Sequence, residues 1–365
     1  MRVQSLHIQG FRNLAKTTLE FDPEANFVAL VGSNGQGKTN VLEALFLLGI
    51  SKSFRTAENE EMVGFDQEFF SLKGNIERND GKLEVEVIVT REPAKKTLKI
   101  NGGVKKASDY IGALSVVFFS PDDLGMIHLS PSLRRRYLDL LLSQLDREYL
   151  ENALKYQSAL RQRNVLLRRI GDNEAQEGEL DFWDQELSAC GSRLRQKREQ
   201  VIGKVGDFAS PYYKEATGTR DELKIEYLPS GGPDSEAEAL FAMLQKNHSR
   251  DIALGSTQSG PHRDDLRFLC NGHDLASFGS RGEWRSLVLT LKFAEIELLK
   301  EKNGETPILL LDDVFSELDE SRQKTLFNSI RDCQTFMTTT HREFLDMIDA
   351  KKQVFRVEDG KVQAD

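Results

Sequence analysis

Hydrophobic residues along the first fifty positions predict three strands, a glycine-rich turn and a helix. Three apolar runs, at 3–11, 18–21 and 27–31, have the lengths and spacing that are typical of strands. The turn at 32–39 follows the third run directly, and apolar residues then recur at helical spacing from 41 to 48. A strand, a glycine loop and a helix in this order form the setting in which phosphate-binding loops occur.

The middle of the chain changes from a strand pattern to a helical one. Residues from about 60 to 119 alternate between apolar and polar types around an Asn-Gly turn at 101–102, which predicts an antiparallel sheet. Charged residues become dense after the Ser-Pro pair at 130–131, and apolar residues over 145–170 trace one face of a long predicted helix. A second helix is predicted over 180–205, so this region is predicted to be a helical hairpin whose apolar stripe is its packing seam.

The last hundred residues return to an alternation of helices and strands. Helices are predicted at 282–302 and 319–331, and strands at 308–311, 335–337 and 354–357. The two ends of the chain therefore predict parts of a single α/β domain, and the antiparallel sheet and the helical arm are insertions between them.

Composition and charge narrow the class of protein. The chain has 365 residues and a formal net charge of −9, so any binding to DNA would need a local basic patch. No apolar stretch approaches the ~20 residues of a membrane-spanning helix, and no signal-peptide core is visible, so we expect no membrane association. Cys190, Cys270 and Cys333 are far apart and form neither a disulfide framework nor a metal motif, which favours a reducing cytoplasm.

The turn at 32–39 matches the phosphate-loop pattern G-x-x-x-x-G-K-[ST]. In such a loop the backbone N–H groups surround phosphate oxygens at a helix N-terminus. Lys38 is expected to neutralise the β- and γ-phosphates of ATP and to serve in catalysis, and the Thr39 hydroxyl to bind Mg²⁺. The predicted nucleotide-binding residues are Gly32, Ser33, Asn34, Gly35, Gln36, Gly37, Lys38 and Thr39.

A second motif, Ile-Leu-Leu-Leu-Asp-Asp at 308–313, supplies the acidic partners of a phosphate loop. A buried strand that ends in Asp312 can hold Mg²⁺ through water, and Asp313 would face the attacking water as the catalytic carboxylate. Hydrophobic strands that end in Asp are common, so this prediction depends on the phosphate loop. The wide interval between Lys38 and Asp312 argues against a small nucleotide kinase or a Ras-like switch, and favours an ATPase head with an inserted arm.

Three shorter motifs follow in the order found in ATP-binding-cassette ATPases. Ser280, Arg281, Gly282 and Glu283 occupy the place of the signature sequence, which binds the γ-phosphate held by a partner subunit. Ser followed by Glu three residues later is also a plain helix capping box. Ser316 and Asp319 stand where the D-loop is expected, and His341 where a catalytic switch histidine would contact the γ-phosphate, although an isolated histidine after a strand is more often structural.

These motifs, together with several others, resemble the RecF family of bacterial recombination mediators, which is related to the heads of structural-maintenance-of-chromosomes (SMC) proteins. The resemblance extends over essentially the whole chain. It rests on the segments 10–13 (GFRN), 32–39, 52–55 (KSFR), 119–124 (FSPDDL), 134–139 (RRRYLD), 160–164 (LRQRN), 260–266 (GPHRDDL) and 310–319 (LLDDVFSELD).

The resemblance implies the fold, the cofactors and the partners. The fold class is α/β, a P-loop NTPase of the ATP-binding-cassette head type, with the head at 1–130 and 255–365 and the inserted helical arm at 131–254. ATP and Mg²⁺ would close two copies head to tail, and Arg12 joins the nucleotide-binding residues. The family binds double-stranded DNA at gaps or junctions and works with RecR and RecO to load RecA in repair, replication restart and the SOS response.

Three residues depart from the family pattern. Glu283 stands where glutamine is common, Trp284 is bulky for a signature helix, and Asp313 is one methylene shorter than the usual glutamate. The shorter carboxylate predicts slow hydrolysis of ATP, and the resemblance implies that DNA stimulates it.

Contacts with DNA are predicted from basic clusters, each of which could equally be a solvated surface. The candidates are Lys52, Arg55, Lys95, Lys96, Lys99, Lys105, Lys106, Arg161, Arg168 and Arg169. We expect binding to phosphates that is sensitive to salt and tolerant of sequence. The alternatives to a RecF-like ATPase are another SMC-like head, a small-molecule P-loop kinase, or a nucleotide-regulated scaffold with little turnover.

Overall fold

The computed structural model of the protein describes residues 1–218 and 221–365. The described residues form two compact units. The first unit comprises Met1–Asp123 and Arg285–Asp365, and the second comprises Leu124–Trp284. The predicted arm, 131–254, lies within the second unit, which also includes 124–130 and 255–284. No helix of residues 1–218 and 221–365 has the length and hydropathy needed to cross a membrane.

Strands occur in both units. They are β1 (Arg2–Phe11), β2 (Leu14–Glu20), β3 (Phe27–Val31), β4 (Phe69–Arg78), β5 (Gly81–Thr90), β6 (Lys95–Ile100), β7 (Gly103–Lys105), β8 (Val116–Phe119), β9 (Leu223–Leu228), β10 (Asp265–Cys270), β11 (His273–Asp274), β12 (Ile308–Asp312), β13 (Thr335–Thr339), β14 (Lys352–Glu358) and β15 (Lys361–Ala364).

The helices range from single turns to a helix of 38 residues. They are α1 (Lys38–Ile50), α2 (Ala107–Tyr110), α3 (Gly125–His128), α4 (Pro131–Leu145), α5 (Arg147–Gly171), α6 (Leu180–Thr217), α7 (Ala237–Lys246), α8 (His248–Leu254), α9 (Leu275–Phe278), α10 (Arg281–Asn303), α11 (Glu320–Ser329) and α12 (Glu343–Asp346). Short 3₁₀ turns lie at Asn59–Met62, Pro121–Leu124, Glu177–Glu179, Pro261–Arg263 and Val314–Glu317.

The first unit is built on two six-stranded sheets. One has the order β15-β14-β3-β13-β12-β8, with parallel pairing throughout except between β14 and β15. The other is antiparallel, with the order β2-β1-β4-β5-β6-β7. Helix α1 contacts strands of both sheets, which explains why nearly all of its residues are buried. Because β3, β13 and β12 are neighbours, their carboxyl ends bring three separate segments of the chain to one edge of the sheet.

The second unit consists of helices α3 to α9 and a three-stranded sheet of order β11-β10-β9. Helices α5 and α6 form the hairpin that the sequence predicts. Leu166, Leu167 and Leu180 form a small buried cluster beside its turn, and Trp183 and Ile252 pack against them. The polar side of the hairpin contains buried arginines, of which Arg163 is fully buried between Asp184 and Asp251. This arginine lies in the LRQRN segment, so its part in the motif is structural.

Two predictions about the elements were wrong, and one helix was not predicted. Strand β8, at 116–119, was placed with the antiparallel sheet but pairs parallel with β12, because it is a continuous apolar run and lacks alternation. The helix predicted over 145–170 is α5, which begins where the carboxylate of Asp146 accepts a hydrogen bond from Tyr149 N (3.1 Å), but helix α4 before it was not predicted. Helix α6 runs to Thr217, well past the predicted end at 205.

Candidate nucleotide-binding site

The phosphate loop lies between β3, in the interior of the parallel sheet, and α1. Gly37 is the residue before the helix and has φ 112°, a left-handed conformation that favours glycine. Gly32 has no room for a side chain, because a Cβ atom there would lie 2.2 Å from the carbonyl oxygen of Val357. Gln36 joins the loop to the turn between β14 and β15, since it accepts hydrogen bonds from Asp359 N (2.6 Å) and Gly360 N (3.0 Å). The glycines of the motif therefore serve both chain reversal and close packing.

Lys38 lies over this loop. Its ammonium donates hydrogen bonds to the carbonyl oxygens of Gly32 (2.6 Å) and Ser33 (2.8 Å). Burial lowers the pKa of Lys38, and the nearby carboxylates of Asp313 and Asp312 oppose that shift. The arrangement holds a cation at the end of the loop, where phosphate oxygens bind in proteins with this motif.

Thr39 and Asp312 meet at the edge of the sheet, although they are 273 residues apart in the chain. The Thr39 hydroxyl donates to Asp312 Oδ1 (2.8 Å), and the Thr338 hydroxyl donates to the same oxygen (2.7 Å). A hydroxyl and a carboxylate suit Mg²⁺, which needs few protein ligands when phosphates and waters supply the others. No group of three or more His, Cys, Asp or Glu side chains suited to a metal occurs among the described residues.

Asp313 follows directly and turns the chain away from β12. Its φ of 52° lies in the left-handed region, and its backbone N–H donates to the Thr338 hydroxyl (2.9 Å). Burial raises the pKa of Asp313, Asp312 raises it further, and Lys38 and His341 act in the opposite direction. A carboxyl group with a raised pKa beside a phosphate loop is suited to accept a proton from water.

A buried glutamate that the sequence reasoning missed organises the other wall. Glu43 on α1 is fully buried and accepts two hydrogen bonds from Arg12, at 3.1 and 2.8 Å. It also accepts a bond from the Ser53 hydroxyl (2.5 Å), and Arg55 lies 3.6 Å away. Arg55 in turn donates to Asn40 Oδ1 (2.8 Å). One carboxylate thus fixes two arginines beside the phosphate loop.

A cavity of about 790 Å³ lies beside the phosphate loop. The predicted residues that it brings together are Arg12, Asn34, Gly35, Gly37, Lys38, Thr39, Asp312 and Asp313. Arg55, which was predicted to contact DNA, also lies in this lining, together with Ser120 and Asp122 from the end of β8. Phe65 and Val63, which no sequence argument singled out, complete one part of the wall.

His341 lies just beyond β13. Its backbone N–H donates to the Thr339 hydroxyl (3.0 Å), and its ring meets Phe344 edge-on at 5.7 Å between centroids. The cavity lining described above does not include it. His341 nevertheless lies close enough to Asp313 to lower the pKa of that carboxyl.

The segment predicted as the signature forms a capping box at the start of α10. Ser280 donates from its backbone N–H (2.8 Å) and from its hydroxyl (2.7 Å) to one carboxylate oxygen of Glu283. The contacts of Trp284 explain why a bulky residue stands at this position. Its indole N–H donates to the carbonyl of Leu275 (2.6 Å), and its ring stacks on the His128 ring with 4.5 Å between the centroids. Ser280 and Arg281 are exposed at the helix start, and Gly282 is half-buried.

The segment predicted as the D-loop is tied to the site by short contacts. The Ser316 hydroxyl donates to the carbonyl of Asp313 (2.7 Å). Asp319 caps α11 by accepting a hydrogen bond from Arg322 N (2.9 Å). Both residues therefore have local structural roles that hold the segment after β12.

The basic candidates differ in exposure. Lys52, Lys95, Lys105, Lys106, Arg161, Arg168 and Arg169 are exposed. Lys96 donates a hydrogen bond to the carbonyl of Ser51. Burial lowers the pKa of Lys96 to about 8, and repulsion by the positive charge of Lys52 lowers it in the same direction. Lys99 pairs with Glu86 at 2.9 Å. Lys96 and Lys99 are therefore less available to a phosphate backbone than the exposed residues.

The GPHRDDL segment forms a buried polar cluster in the second unit. Asp264 accepts two hydrogen bonds from Arg195, at 3.0 and 2.8 Å, and Asp265 pairs with Arg134 at 2.6 Å. His262 contacts the Tyr156 hydroxyl at 2.7 Å, and burial lowers its pKa to about 4, so the imidazole is neutral. The segment thus stabilises the fold of this unit.

Comparisons with known proteins agree with these observations. The family model described as the RecF/RecN/SMC N terminal domain matches residues 2–363. Proteins named DNA replication and repair protein RecF match over the full length, including those of Lachnoclostridium phytofermentans (40% identical, covering 100% of this chain and 99% of the relative) and Agathobacter rectalis (38% identical, 100% and 99%).

Solved structures give the same result. The recombination mediator protein RecF with ATP in the RecFOR pathway is 34% identical and superposes with a TM-score of 0.89 over 99% of this chain and 97% of that one. The RecF-ATPrS structure of the same pathway has a TM-score of 0.91 over 100% and 98%, at 34% identity. An Smc head bound to the C-winged helix domain of ScpA is 15% identical with a TM-score of 0.57, over 100% of this chain and 97% of that one, and shares the fold. The chain belongs to the RecF family and has the ATPase head fold of that family and of SMC proteins.

Proposed function

We propose that this protein binds and hydrolyses ATP and uses it to close two copies on double-stranded DNA during repair and replication. The observation that carries the proposal is the contact between Thr39 and Asp312, which joins the phosphate loop to the acidic strand beneath the Lys38 ammonium. Solved RecF proteins in complex with ATP, of the same fold and 34% identical, support ATP as the nucleotide. Membership of the RecF family supports a place in DNA replication and repair.

Each side chain has a proposed role in the nucleotide site. Lys38 and the N–H groups of the loop bind the β- and γ-phosphates, and Arg12, held by Glu43, adds positive charge to the wall. Thr39 and Asp312 hold Mg²⁺, which when bound offsets the charge of the phosphates. Asp313 accepts a proton from the attacking water, and Ser316 holds the backbone of that residue in place.

The dimer is proposed to complete the site. Ser280 and the start of α10 on one copy face the γ-phosphate bound to the other copy, with the helix N-terminus favouring the negative charge. Because Ser280 donates to Glu283, that hydrogen bond must be exchanged for one to phosphate when the dimer closes. His341 and Asp319 are proposed to act near the same phosphate. The short Asp313 side chain makes turnover slow, and DNA is proposed to stimulate it.

DNA is proposed to bind through phosphate contacts at the exposed basic residues Lys52, Lys95, Lys105, Lys106 and Arg161. The preferred substrate is a gap or junction, where the protein works with RecR and RecO to load RecA in the cytoplasm. A net charge of −9 means that such binding depends on these local clusters and weakens as salt rises.

The test is light scattering after size exclusion, with and without ATP·Mg²⁺ and a short duplex. Wild type is expected to dimerise with ATP, and Ser280→Arg to bind ATP but stay monomeric. Lys38→Ala should lose nucleotide binding, whereas Asp313→Asn should keep it and prolong the dimer. Monomers in every condition would remove the clamp mechanism, and phosphate transfer to an added metabolite without DNA would point to a kinase instead.

A further inference from the structure

Phe65 lies near the phosphate loop and is exposed to solvent, so it takes no part in the hydrophobic core. Its side chain is 97% exposed, which makes it the most exposed large hydrophobic residue of the part of the chain that the structure describes. A single exposed apolar side chain is ordinary on a protein surface. Its meaning therefore depends on how firmly it is held and on what lies next to it.

The backbone around Phe65 is fixed on both sides. Val63 forms a β-bridge with Phe11 of β1. Gly64 N donates to the carbonyl of Gly10 (2.8 Å), and Gln67 N donates to the carbonyl of Gly64 (3.0 Å). An ordered turn thus carries the ring into solvent, so its exposure is a property of the fold and does not arise from a loose loop.

Phe65 also belongs to the lining of the cavity that contains Lys38, Thr39 and Asp312. Most residues that line the cavity are polar, and Val63, Phe65 and Pro121 provide its large apolar side chains. Arg12 connects this part of the wall to the phosphate loop, because its backbone N–H donates to Met62 O (2.9 Å) and its guanidinium to Glu61 O (2.9 Å) and Glu43. A ligand whose phosphates lie on Lys38 therefore shares its cavity with an exposed aromatic ring.

A nucleoside triphosphate carries a flat aromatic base at the end opposite its phosphates, and bases stack on aromatic side chains. We propose that Phe65 is the platform on which the base of the bound nucleotide stacks. The inference rests on the proposed nucleotide site and adds the residue that recognises the base. A phenyl ring has no hydrogen-bond donor or acceptor, so stacking on it favours large bases over small ones and does not separate adenine from guanine.

The experiment compares nucleotides with a ligand that has phosphates and no base. Calorimetric titrations with Mg·ATP, Mg·CTP and Mg·tripolyphosphate are made on the full chain carrying Ser280→Arg, so that dimerisation adds nothing to the measured affinity. Phe65→Ala, Phe65→Trp and the control Phe182→Ala are added to that background. Phe182 is 59% exposed on α6 and is not part of the cavity lining described above.

Phe65→Ala is expected to weaken ATP binding by between about 5-fold and about 150-fold, the effect of losing one stacked base. It should also reduce the preference for ATP over CTP and leave tripolyphosphate binding unchanged. Phe65→Trp should bind ATP at least as tightly as the parent, and Phe182→Ala should change nothing.

The proposal is overturned if Phe65→Ala binds ATP like the parent, or if ATP and tripolyphosphate weaken equally, since the residue would then act through the loop. A ring that instead packs on a second copy would give unchanged affinity in this background and a weaker ATP-driven dimer without Ser280→Arg. Failure of the nucleotide site itself has a different signature, in which the parent binds neither ATP nor tripolyphosphate.

Discussion

Glu43 provides the sharpest test of how the nucleotide site is built. The substitution Glu43→Gln keeps the shape of the side chain and one acceptor oxygen, but removes the negative charge that faces Arg12 and Arg55. It also turns N–H groups toward the Arg12 guanidinium, whose two bonds to the carboxylate are 2.8 and 3.1 Å long. The change therefore acts on a buried charge pair and leaves the apolar packing of α1 intact.

The size of the effect follows from burial. Glu43 is 0% exposed and the Arg12 side chain 18%, so Glu43→Gln leaves a nearly buried cation without its partner. Breaking such a pair costs about 3–5 kcal/mol. Arg55 is 48% exposed and 3.6 Å away, so its share is small. We expect a loss of about 3 kcal/mol, near the low end, because Arg12 keeps some contact with water. For a unit of about 200 residues this lowers the melting temperature by roughly 6–12 °C.

Two assays separate the effects. Calorimetry should show the lower melting temperature. Titration with Mg·ATP should show binding at least about tenfold weaker, since Arg12 is no longer held at the wall. Glu24→Gln is the matched control, because that carboxylate is 76% exposed and pairs with Lys351 at the surface. Wild-type stability together with wild-type ATP affinity in Glu43→Gln would refute the reasoning.

Further predictions concern pH and the signature segment. Burial lowers the pKa of His262 in the folded protein to about 4. The stability of the second unit should therefore fall by up to about 3 kcal/mol as pH drops from 6.5 toward 4. In urea titrations followed by tryptophan fluorescence, His262→Gln should show a smaller loss of stability over this pH range. Glu295 has its pKa raised to about 7 by burial, so the first unit should instead lose stability as pH rises from about 4.5 to 7, an effect that calorimetry should not find in Glu295→Gln. Glu283→Gln removes a negative charge next to the proposed γ-phosphate position, and should tighten the ATP-driven dimer by roughly tenfold in light scattering.

Each of these predictions has an outcome that contradicts it. An unchanged acid slope in His262→Gln would mean that other groups of the second unit take up the proton. Equal pH profiles for wild type and Glu295→Gln would show that the carboxyl group has an ordinary pKa. A weaker dimer in Glu283→Gln would show that its carboxylate is needed to hold Ser280 for phosphate, with Glu283→Ala as the comparison that removes both the charge and the hydrogen bond.

The parts of the site that follow from local pattern could be predicted from the sequence. The phosphate loop and the acidic strand can each be recognised from a few neighbouring residues, and parallel pairing places the carboxyl ends of their strands at the same edge of the sheet. Strand β8 was misplaced because membership of a sheet depends on partners that lie far away in the chain. The exposure of Lys96 depends on the contact of β6 with the end of α1, which alternation along β6 does not reveal.

Glu43 had a signal that could have been used. It stands among Val41, Leu42, Ala44 and Leu45 in a helix that is apolar on all sides, and a carboxylate in such a helix must be buried and paired. Its partners could not be named in the same way, because Arg12 and Arg55 come from separate segments. The structural role of Trp284 also could not be predicted from the sequence, since it depends on a carbonyl nine residues upstream and on a histidine from α3.

The hydrogen bonds of Gln36 with the turn at Asp359 and Gly360 have a consequence for biosynthesis. Asp359 is synthesised 323 residues after Gln36, and Asp312, whose carboxylate contacts Thr39, is synthesised 273 residues after Thr39. At about 5–20 residues per second, the ribosome needs roughly 15–55 s to pass from the loop to Asp312. During that time the phosphate loop has no sheet neighbours on either side of β3, so ATP cannot stabilise the nascent chain. Binding of nucleotide therefore becomes possible only after the sheet around β3 has been synthesised. A chain truncated before β14 would leave the ribosome unable to bind nucleotide.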